Sequence, residues 1–398
     1  MPMVHLSESV CAGTIRHSHS RQSGLFFSLM TVVGFFWNGL PLVAQPPAET
    51  SLISTLPVRT LPRDNLLLFH DSQGNVQPVK TVDDWLKRRQ ELLHNMEPIL
   101  GTLPSGEKFC PLDVQVIEEV DAGKYLRRKI TYQSEPGSRV PAYLLIPKTA
   151  LQSPPQKVPA ALCLHSTSAD GPKVILGMST RPDREYGVEL AERGYVVLAP
   201  NYPLLSEYAP DLKKLGWASG TLKAVWDNKR GLDLLDSLPY VNSGRYAAIG
   251  HSLGGHNSVF TALYEDRIQV VVSSCGLDSI VDYYQGNPDV WKPGRGWVQE
   301  RYIPRMIAYA GRLDEIPFDY QEMIAALAPR PVLIIAPKED SNFRMESVDR
   351  VVKAAAPIFK LYGVPGNLQW EHPDGGHNFP ADMRERAYVL IDSVLKTP

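Results

Sequence analysis

The chain has 398 residues, 43% hydrophobic and 21% charged, a composition typical of a globular protein with one large core or two smaller ones. Its formal net charge is −2 at pH 7, without a basic run or an acidic tail, which argues against nucleic-acid binding. The four cysteines show no metal-ligand spacing, so we expect neither a disulfide framework nor a metal site, and no cofactor.

The N-terminal region differs in composition from the rest of the chain. Residues 25–44 form an uncharged, apolar-biased run that follows Arg16 and Arg21. This pattern predicts a secretory signal peptide over 1–44, with a membrane anchor and a cytosolic core helix as alternatives. The first two interpretations predict a secreted or periplasmic protein, in contact with a membrane only if the segment is uncleaved. The Pro-, Ser- and Thr-rich stretch that follows, residues 45–80, is predicted to be a linker.

The next segment, residues 81–111, is predicted to form a helical extension ahead of a catalytic domain over 112–398. In "TVDDWLKRRQELLHNMEPILG" apolar residues recur at helical spacing. Thr81 can cap this helix, because Asp84 occupies the fourth position of a capping box. We expect the helix to pack against the main domain, with dimerisation as the alternative.

The catalytic domain begins with three strand-like runs from Leu112, and from residue 158 onward apolar runs alternate with helical stretches. This alternation predicts an α/β fold, a doubly wound and mostly parallel sheet with antiparallel N-terminal strands. Residues 276–328 break the alternation and form an aromatic-rich, cap-like insertion. Such a long excursion from the carboxyl end of a strand is typically functional. Its aromatic residues include Tyr283, Tyr284, Trp291, Trp297, Tyr302 and Tyr320.

The stretch "YAAIGHSLGGHNSVF" contains the pattern G-x-S-x-G with Ser252 at its centre. A strand precedes the pattern and a helix follows it, which is the context that a nucleophile elbow requires. A serine hydroxyl is a weak nucleophile unless a base removes its proton. This interpretation therefore predicts an acidic residue and a histidine further along the chain.

Two histidines, His372 and His377, lie in "EHPDGGHNFP" after the last predicted strand. We predict His377 as the general base, because Gly375 and Gly376 let its loop reach back toward the elbow. His372 is then a structural loop residue, and a metal site of His372, Asp374 and His377 is the less favoured alternative.

The acidic partner should follow the strand "PVLIIAP", where Glu339 and Asp340 stand together. Spacing permits either residue to orient the imidazole, and we favour Asp340. The oxyanion hole needs two backbone N–H donors. One is predicted at Leu253, directly after the nucleophile, and the second at Thr167 in the loop "HSTSADG", whose serines and threonine could instead form a turn.

Over residues 81–398 the chain resembles the α/β-hydrolase superfamily, and within it the dienelactone-hydrolase and prolyl-oligopeptidase-like branch that includes acetyl-xylan-esterase-type secreted enzymes. The motifs "LHSTSADG", "ELAERGYVVLAPNYP", "GHSLGGH", "KEDSNF" and "PDGGHNFP" carry the resemblance. Relatives place the acid at the first Asp of D-x-N-F, which favours Asp340. The chain departs from dienelactone hydrolases, which have a cysteine nucleophile. It also lacks room for the prolyl-oligopeptidase propeller, and it has Ser166 where a glycine is usual.

These observations predict a serine hydrolase that cleaves carboxylic esters through an acyl-enzyme, with a small-molecule or carbohydrate ester as substrate. The aromatic insertion could stack on sugar rings or pack its own core. A serine exopeptidase or amidase on the same triad is the alternative, and an inactive binding protein of this fold is a third hypothesis. The oligomeric state is not predicted.

Overall fold

The computed structural model describes residues 56–153, 157–181 and 183–396. The predicted signal peptide or anchor over 1–44 lies outside these residues and stays a prediction. Within the described part of the chain, no helix combines the length and the apolar character needed to cross a bilayer.

The described residues form a two-stranded hairpin and a nine-stranded sheet in the order β11-β10-β9-β8-β6-β7-β5-β4-β3. The strands are β1 (Leu68–His70), β2 (Val76–Pro78), β3 (Gln115–Asp121), β4 (Tyr125–Glu135), β5 (Ser138–Pro147), β6 (Val158–Leu164), β7 (Val196–Pro200), β8 (Val241–His251), β9 (Ile268–Ser274), β10 (Val332–Ile335) and β11 (Leu368–Glu371). The helices are α1 (Val82–Leu100), α2 (Tyr186–Glu192), α3 (Gly220–Asp236), α4 (Leu253–Leu263), α5 (Tyr320–Ala325), α6 (Met345–Leu361) and α7 (Ala381–Leu395).

The pairing of the strands confirms the predicted α/β fold. Strands β3, β4, β5 and β7 pair antiparallel in succession. From β7 through β6, β8, β9 and β10 to β11 every pairing is parallel. Parallel neighbours place their carboxyl ends at one edge of the sheet, and the loops that follow β6, β8, β10 and β11 therefore meet there.

Two hydrophobic cores cover the two faces of the sheet. Alternate residues of β6 point to opposite sides, so Ala160 and Leu162 lie in one core and Ala161 and Cys163 in the other. Such a strand has no polar face, which explains the continuous apolar run in its sequence. Burial also raises the pKa of the Cys163 thiol, so this cysteine behaves as a small hydrophobic residue.

Helix α1 packs on the main domain, as predicted. Thr81 and Asp84 form the reciprocal bonds of a capping box at its start. Trp85, Met96 and Ile99 are fully buried and belong to the larger core. These apolar residues of the helix are therefore packed against the core of this chain.

The prediction of a linker over 45–80 is wrong for the described part of that range, which contains a hairpin of β1 and β2. Leu66 and Phe69 are buried in the larger core. Arg59 forms an ion pair of 2.5 Å with Glu322, which binds the segment to the domain. Strands of three residues are too short for a periodic pattern, which is why the sequence did not indicate them.

Candidate active site

Ser252 stands on a sharp turn between β8 and α4. Its backbone angles, φ 57 and ψ −121, lie in a region that non-glycine residues rarely adopt. The turn is closely packed: a Cβ on Gly250 would lie 2.2 Å from the carbonyl carbon of Gly254. A Cβ on Gly254 would lie 1.9 Å from the carbonyl oxygen of Leu164. Both glycines of the motif are therefore required by the close approach of backbone to backbone.

His377 and Asp340 are joined by a hydrogen bond of 2.8 Å between Nδ1 and Oδ2. The carboxylate is buried and accepts two further bonds, from the backbone N–H groups of Asn342 and Phe343. Burial alone would raise the pKa of Asp340, but these bonds and the His377 imidazole outweigh it and lower the pKa. The carboxylate is thus ionised and fixed in place beside the imidazole.

The competing candidates lie in different surroundings. Glu339 is exposed, and only its backbone approaches the histidine loop, through an N–H bond to the Gly375 carbonyl. His372 bonds to the carbonyl of Ala336 at 2.7 Å and to Asp349 at 3.0 Å. Both ring nitrogens of His372 are therefore occupied by structural partners.

Ser252 and His377 line one cavity of about 430 Å³ at the carboxyl edge of the sheet. The other lining residues are Ser166, Thr167, Arg181, Arg184, Leu253, Tyr283, Tyr284, Val290, Gly296, Trp297, Gln299, Tyr302, Asn342 and Phe343. The Ser252 hydroxyl and His377 Nε2 form no hydrogen bond with another described residue. Catalytic hydrogen bonds of ligand-free enzymes often tighten only when substrate binds.

The predicted oxyanion donors, Leu253 and Thr167, line the same cavity. Leu253 is the first residue of α4, where a backbone N–H has no intrahelical acceptor. The hydroxyl of Thr167 bonds to that of Tyr302, 2.8 Å away in the insertion. This contact ties the loop after β6 to the insertion and could not be read from the sequence.

Buried His165 organises the start of this loop. Its Nε2 accepts the Tyr202 backbone N–H at 3.0 Å, and its Nδ1 lies 2.8 Å from the Ser166 carbonyl oxygen. The two bonds require a neutral ring with the proton on Nδ1. Burial lowers the pKa of His165 to about 4, and the bond to Ser166 opposes that effect only in part.

A pH dependence of stability follows from this depressed pKa. The His165 ring of the unfolded chain takes up a proton near pH 6.5, whereas the folded ring does so only near 4. The contribution of His165 to the free energy of unfolding is therefore fully present above pH 6.5, and it falls by about 3 kcal/mol between pH 6.5 and pH 4. His165→Gln should remove that part of the decline in urea unfolding measured between these pH values. His94→Gln, at an exposed position of α1, should keep the wild-type decline, and an equal decline in both variants would contradict the assignment.

The potential metal-ligand atoms of three residues, His251, Cys275 and His377, lie within 4.8 Å of one another. Burial raises the pKa of the Cys275 thiol well above its usual range, which opposes the thiolate form that binds metals. His377 already uses Nδ1 to bind Asp340. The alternative set predicted from the sequence is not assembled, because Asp374 pairs with Lys338 and His372 with Asp349.

The insertion contains four short 3₁₀ segments and α5: Ile280–Gly286, Pro288–Trp291, Pro304–Tyr309, Leu313–Glu315 and Tyr320–Ala325. Its aromatic residues lie in two environments, the core and the lining of the cavity. Trp291 and Tyr309 are buried in the core, whereas Tyr283, Trp297 and Tyr302 contact one another beside the cavity. The ring centroids of Tyr283 and Trp297 are 5.0 Å apart.

The strand order, the strained elbow and the loops that converge on it show that this chain has the α/β-hydrolase fold. The family described as "Glucuronyl esterase, fungi" matches residues 215–363, a range that includes Ser252 and Asp340 but not His377. A curated relative, the 4-O-methyl-glucuronoyl methylesterase of Phanerochaete carnosa (strain HHB-10118-sp), is 25% identical over 191 residues, 45% of this chain and 47% of that protein. The chain thus aligns with about half the length of this relative.

Other comparisons cover more of the chain. YtaP of Bacillus subtilis (strain 168), which carries a provisional hydrolase assignment, is 24% identical over 78% of this chain and 99% of its own length. The glucuronoyl esterase structure from Solibacter usitatus has a TM-score of 0.65 at 18% identity, covering 85% of this chain and 99% of that one. The glucuronoyl esterase from Caldicellulosiruptor kristjansonii gives a TM-score of 0.61 at 18% identity, covering 85% and 91%.

Proposed function

We propose that this protein is a serine hydrolase that cleaves carboxylic esters of sugar acids. Ser252 is the nucleophile, His377 the general base and Asp340 the residue that orients it, with the Leu253 and Thr167 N–H groups as oxyanion donors. The observation that supports the proposal is that the strained Ser252 and His377 line one cavity, and that His377 is hydrogen-bonded to the buried Asp340 carboxylate.

The reaction follows from the bonds of the imidazole. Asp340 holds the proton of His377 on Nδ1, so Nε2 is free to accept the proton of the Ser252 hydroxyl. The serine oxygen bonds to the ester carbonyl carbon, and negative charge develops on the carbonyl oxygen in front of the backbone donors. His377 then gives its proton to the leaving alcohol, and a water molecule, activated in the same way, releases the acid.

Relatives and the lining of the cavity both favour a sugar acid as the acyl half. The curated fungal relatives carry the name 4-O-methyl-glucuronoyl methylesterase. The cavity combines aromatic faces, among them the partly exposed Tyr284, with the polar side chains of Gln299 and Asn342. Apolar faces beside a few polar groups are suited to a sugar ring, which has both kinds of surface.

A substrate panel tests the proposal. The methyl ester of glucuronic acid, an acetylated xyloside and glucuronamide report on the acyl half and on the bond that is cleaved. We expect the highest kcat/KM for the methyl glucuronate and no measurable turnover of the amide. Faster release of acetate would contradict the sugar-acid substrate. Rapid turnover of the amide would favour the amidase that the sequence left as an alternative.

We further propose that the enzyme acts outside the cytoplasm. The support is the sequence of residues 1–44 alone, an uncharged apolar-biased run after two arginines. N-terminal sequencing of the mature protein from its own cells tests this. A soluble intracellular product that still begins at Met1 would contradict export.

A further inference from the structure

The cavity contains a positive charge that the ester chemistry does not use. We infer that Arg181 and Arg184 form a subsite for a carboxylate or sulfate carried by the alcohol half of the substrate. The inference rests on the proposed ester hydrolysis and adds to it the charge of the leaving group.

The guanidinium of Arg184 has a hydrogen-bond donor without a partner among the described residues. One of its Nη atoms donates to the carbonyl oxygen of His377 at 3.0 Å. Its Nε is buried and has no hydrogen-bond partner among the described residues. The neighbouring Asp183 directs its carboxylate to Asn378 and toward Arg384 instead. A half-buried guanidinium with an unused donor beside a cavity is an incomplete site for an anion.

Arg181 adds a second guanidinium to the cavity lining. Its side chain is exposed and forms neither an ion pair nor a hydrogen bond with another described residue. Other arginines without a carboxylate partner, such as Arg89 and Arg330, donate to backbone carbonyl groups instead. The Arg181 guanidinium has neither kind of partner among the described residues, so its donors are open to a ligand.

The described residues that line the cavity include no carboxylate that could neutralise the two arginines. Asp340, the nearest acid of the proposed machinery, is buried behind His377 and bonded to it. The charged side chains among the lining residues, apart from a protonated histidine, are therefore both positive. A guanidinium pair suits the oxygen atoms of a carboxylate or sulfate, because its planar donors can bind two oxygens at once.

The position of the arginines indicates which half of the ester is charged. Arg184 binds the backbone of His377, so its guanidinium lies on the histidine side of the cavity. His377 delivers its proton to the leaving alcohol, which must therefore occupy that side during the reaction. In a sugar-acid ester the acyl carboxyl is itself esterified and neutral, so the charge has to come from another group.

Two esters of glucuronic acid that differ only in charge test the subsite: the 4-carboxybenzyl ester and the neutral 4-carbamoylbenzyl ester. We expect the wild-type kcat/KM to favour the carboxylate by about tenfold at low ionic strength, and the preference to shrink in about 0.5 M salt. Arg181→Gln should bring the ratio close to one, and Arg181→Glu should invert it. Lys353→Gln removes a charge from an exposed position of α6 outside the cavity and should keep the wild-type ratio.

The outcomes separate this inference from the proposed function. If the wild-type protein cleaves both esters at equal rates, or if Arg181→Gln leaves the preference intact, the anion subsite is wrong while the ester hydrolysis stands. If the protein cleaves neither ester and nothing in the substrate panel, the proposed function fails and the subsite fails with it. A preference for the neutral ester in the wild type would also overturn the inference.

Discussion

Ser252→Ala is expected to lower kcat on an ester substrate by about 10⁴- to 10⁶-fold, because no other group on the elbow can form the acyl-enzyme. The residual rate would come from binding and from the oxyanion donors. The fold should persist, since alanine loses only a hydroxyl that bonds to no other described residue. Steady-state kinetics with covalent labelling by a fluorophosphonate probe measures both consequences.

Ser258→Ala is the matched control for this variant. Ser258 is a buried serine of α4, the helix that follows Ser252, and its hydroxyl donates to the Gly254 carbonyl at 2.8 Å, away from the cavity. It should keep its probe labelling and a kcat within about threefold of wild type, with a loss of stability of about 1 kcal/mol. Labelling that persists in Ser252→Ala, or activity within tenfold of wild type, would exclude Ser252 as the nucleophile.

The fold could be predicted where burial on both faces leaves a continuous apolar run. The sequence of β6 is such a run, and the strand lies inside the sheet with both faces covered. The hairpin of β1 and β2 could not be predicted in this way. Its segment is held in place by contacts such as the ion pair between Arg59 and Glu322, which are 263 residues apart in the sequence. A prediction from short stretches of sequence does not include such contacts.

The candidate site shows the same division. Ser252 and Asp340 could be proposed from sequence because each follows a strand whose carboxyl end lies at one edge of a parallel sheet. Arg184 was not predicted, because its contact with the His377 carbonyl joins residues 193 positions apart. The signal available in the sequence was a charged residue in the loop after β6, and a charge alone does not distinguish a binding residue from a solvated one.

The insertion shows how composition can leave two interpretations open. Its aromatic residues predicted either a sugar-binding surface or a self-contained core. Trp291 is buried away from the cavity, while Tyr284 lines it and is 38% exposed. Aromatic content does not distinguish a residue of the core from one that lines the cavity, because tyrosine and tryptophan occur in both environments. Only the packing of the insertion on the sheet assigns each ring to one of them.

Asp340→Asn is expected to lower kcat by about 10⁴-fold with little change in KM. The asparagine Oδ1 can still accept the N–H groups of Asn342 and Phe343, so the loop should keep its shape. Its amide N–H, however, would face His377 Nδ1 and favour the tautomer with the proton on Nε2. That nitrogen could then no longer accept the proton of Ser252. Steady-state kinetics and circular dichroism together distinguish this effect from unfolding.

Glu339→Gln provides a control at the adjacent carboxylate. Glu339 is exposed and outside the cavity lining, so its variant should keep kcat within about twofold of wild type. The two variants remove the same charge from neighbouring positions, and a general effect of net charge would change both alike. If Glu339→Gln lost activity while Asp340→Asn kept it, the acid would have to be reassigned to residue 339. That result would require the loop after β10 to rotate during the reaction, because here it is the carboxylate of Asp340 that meets the imidazole.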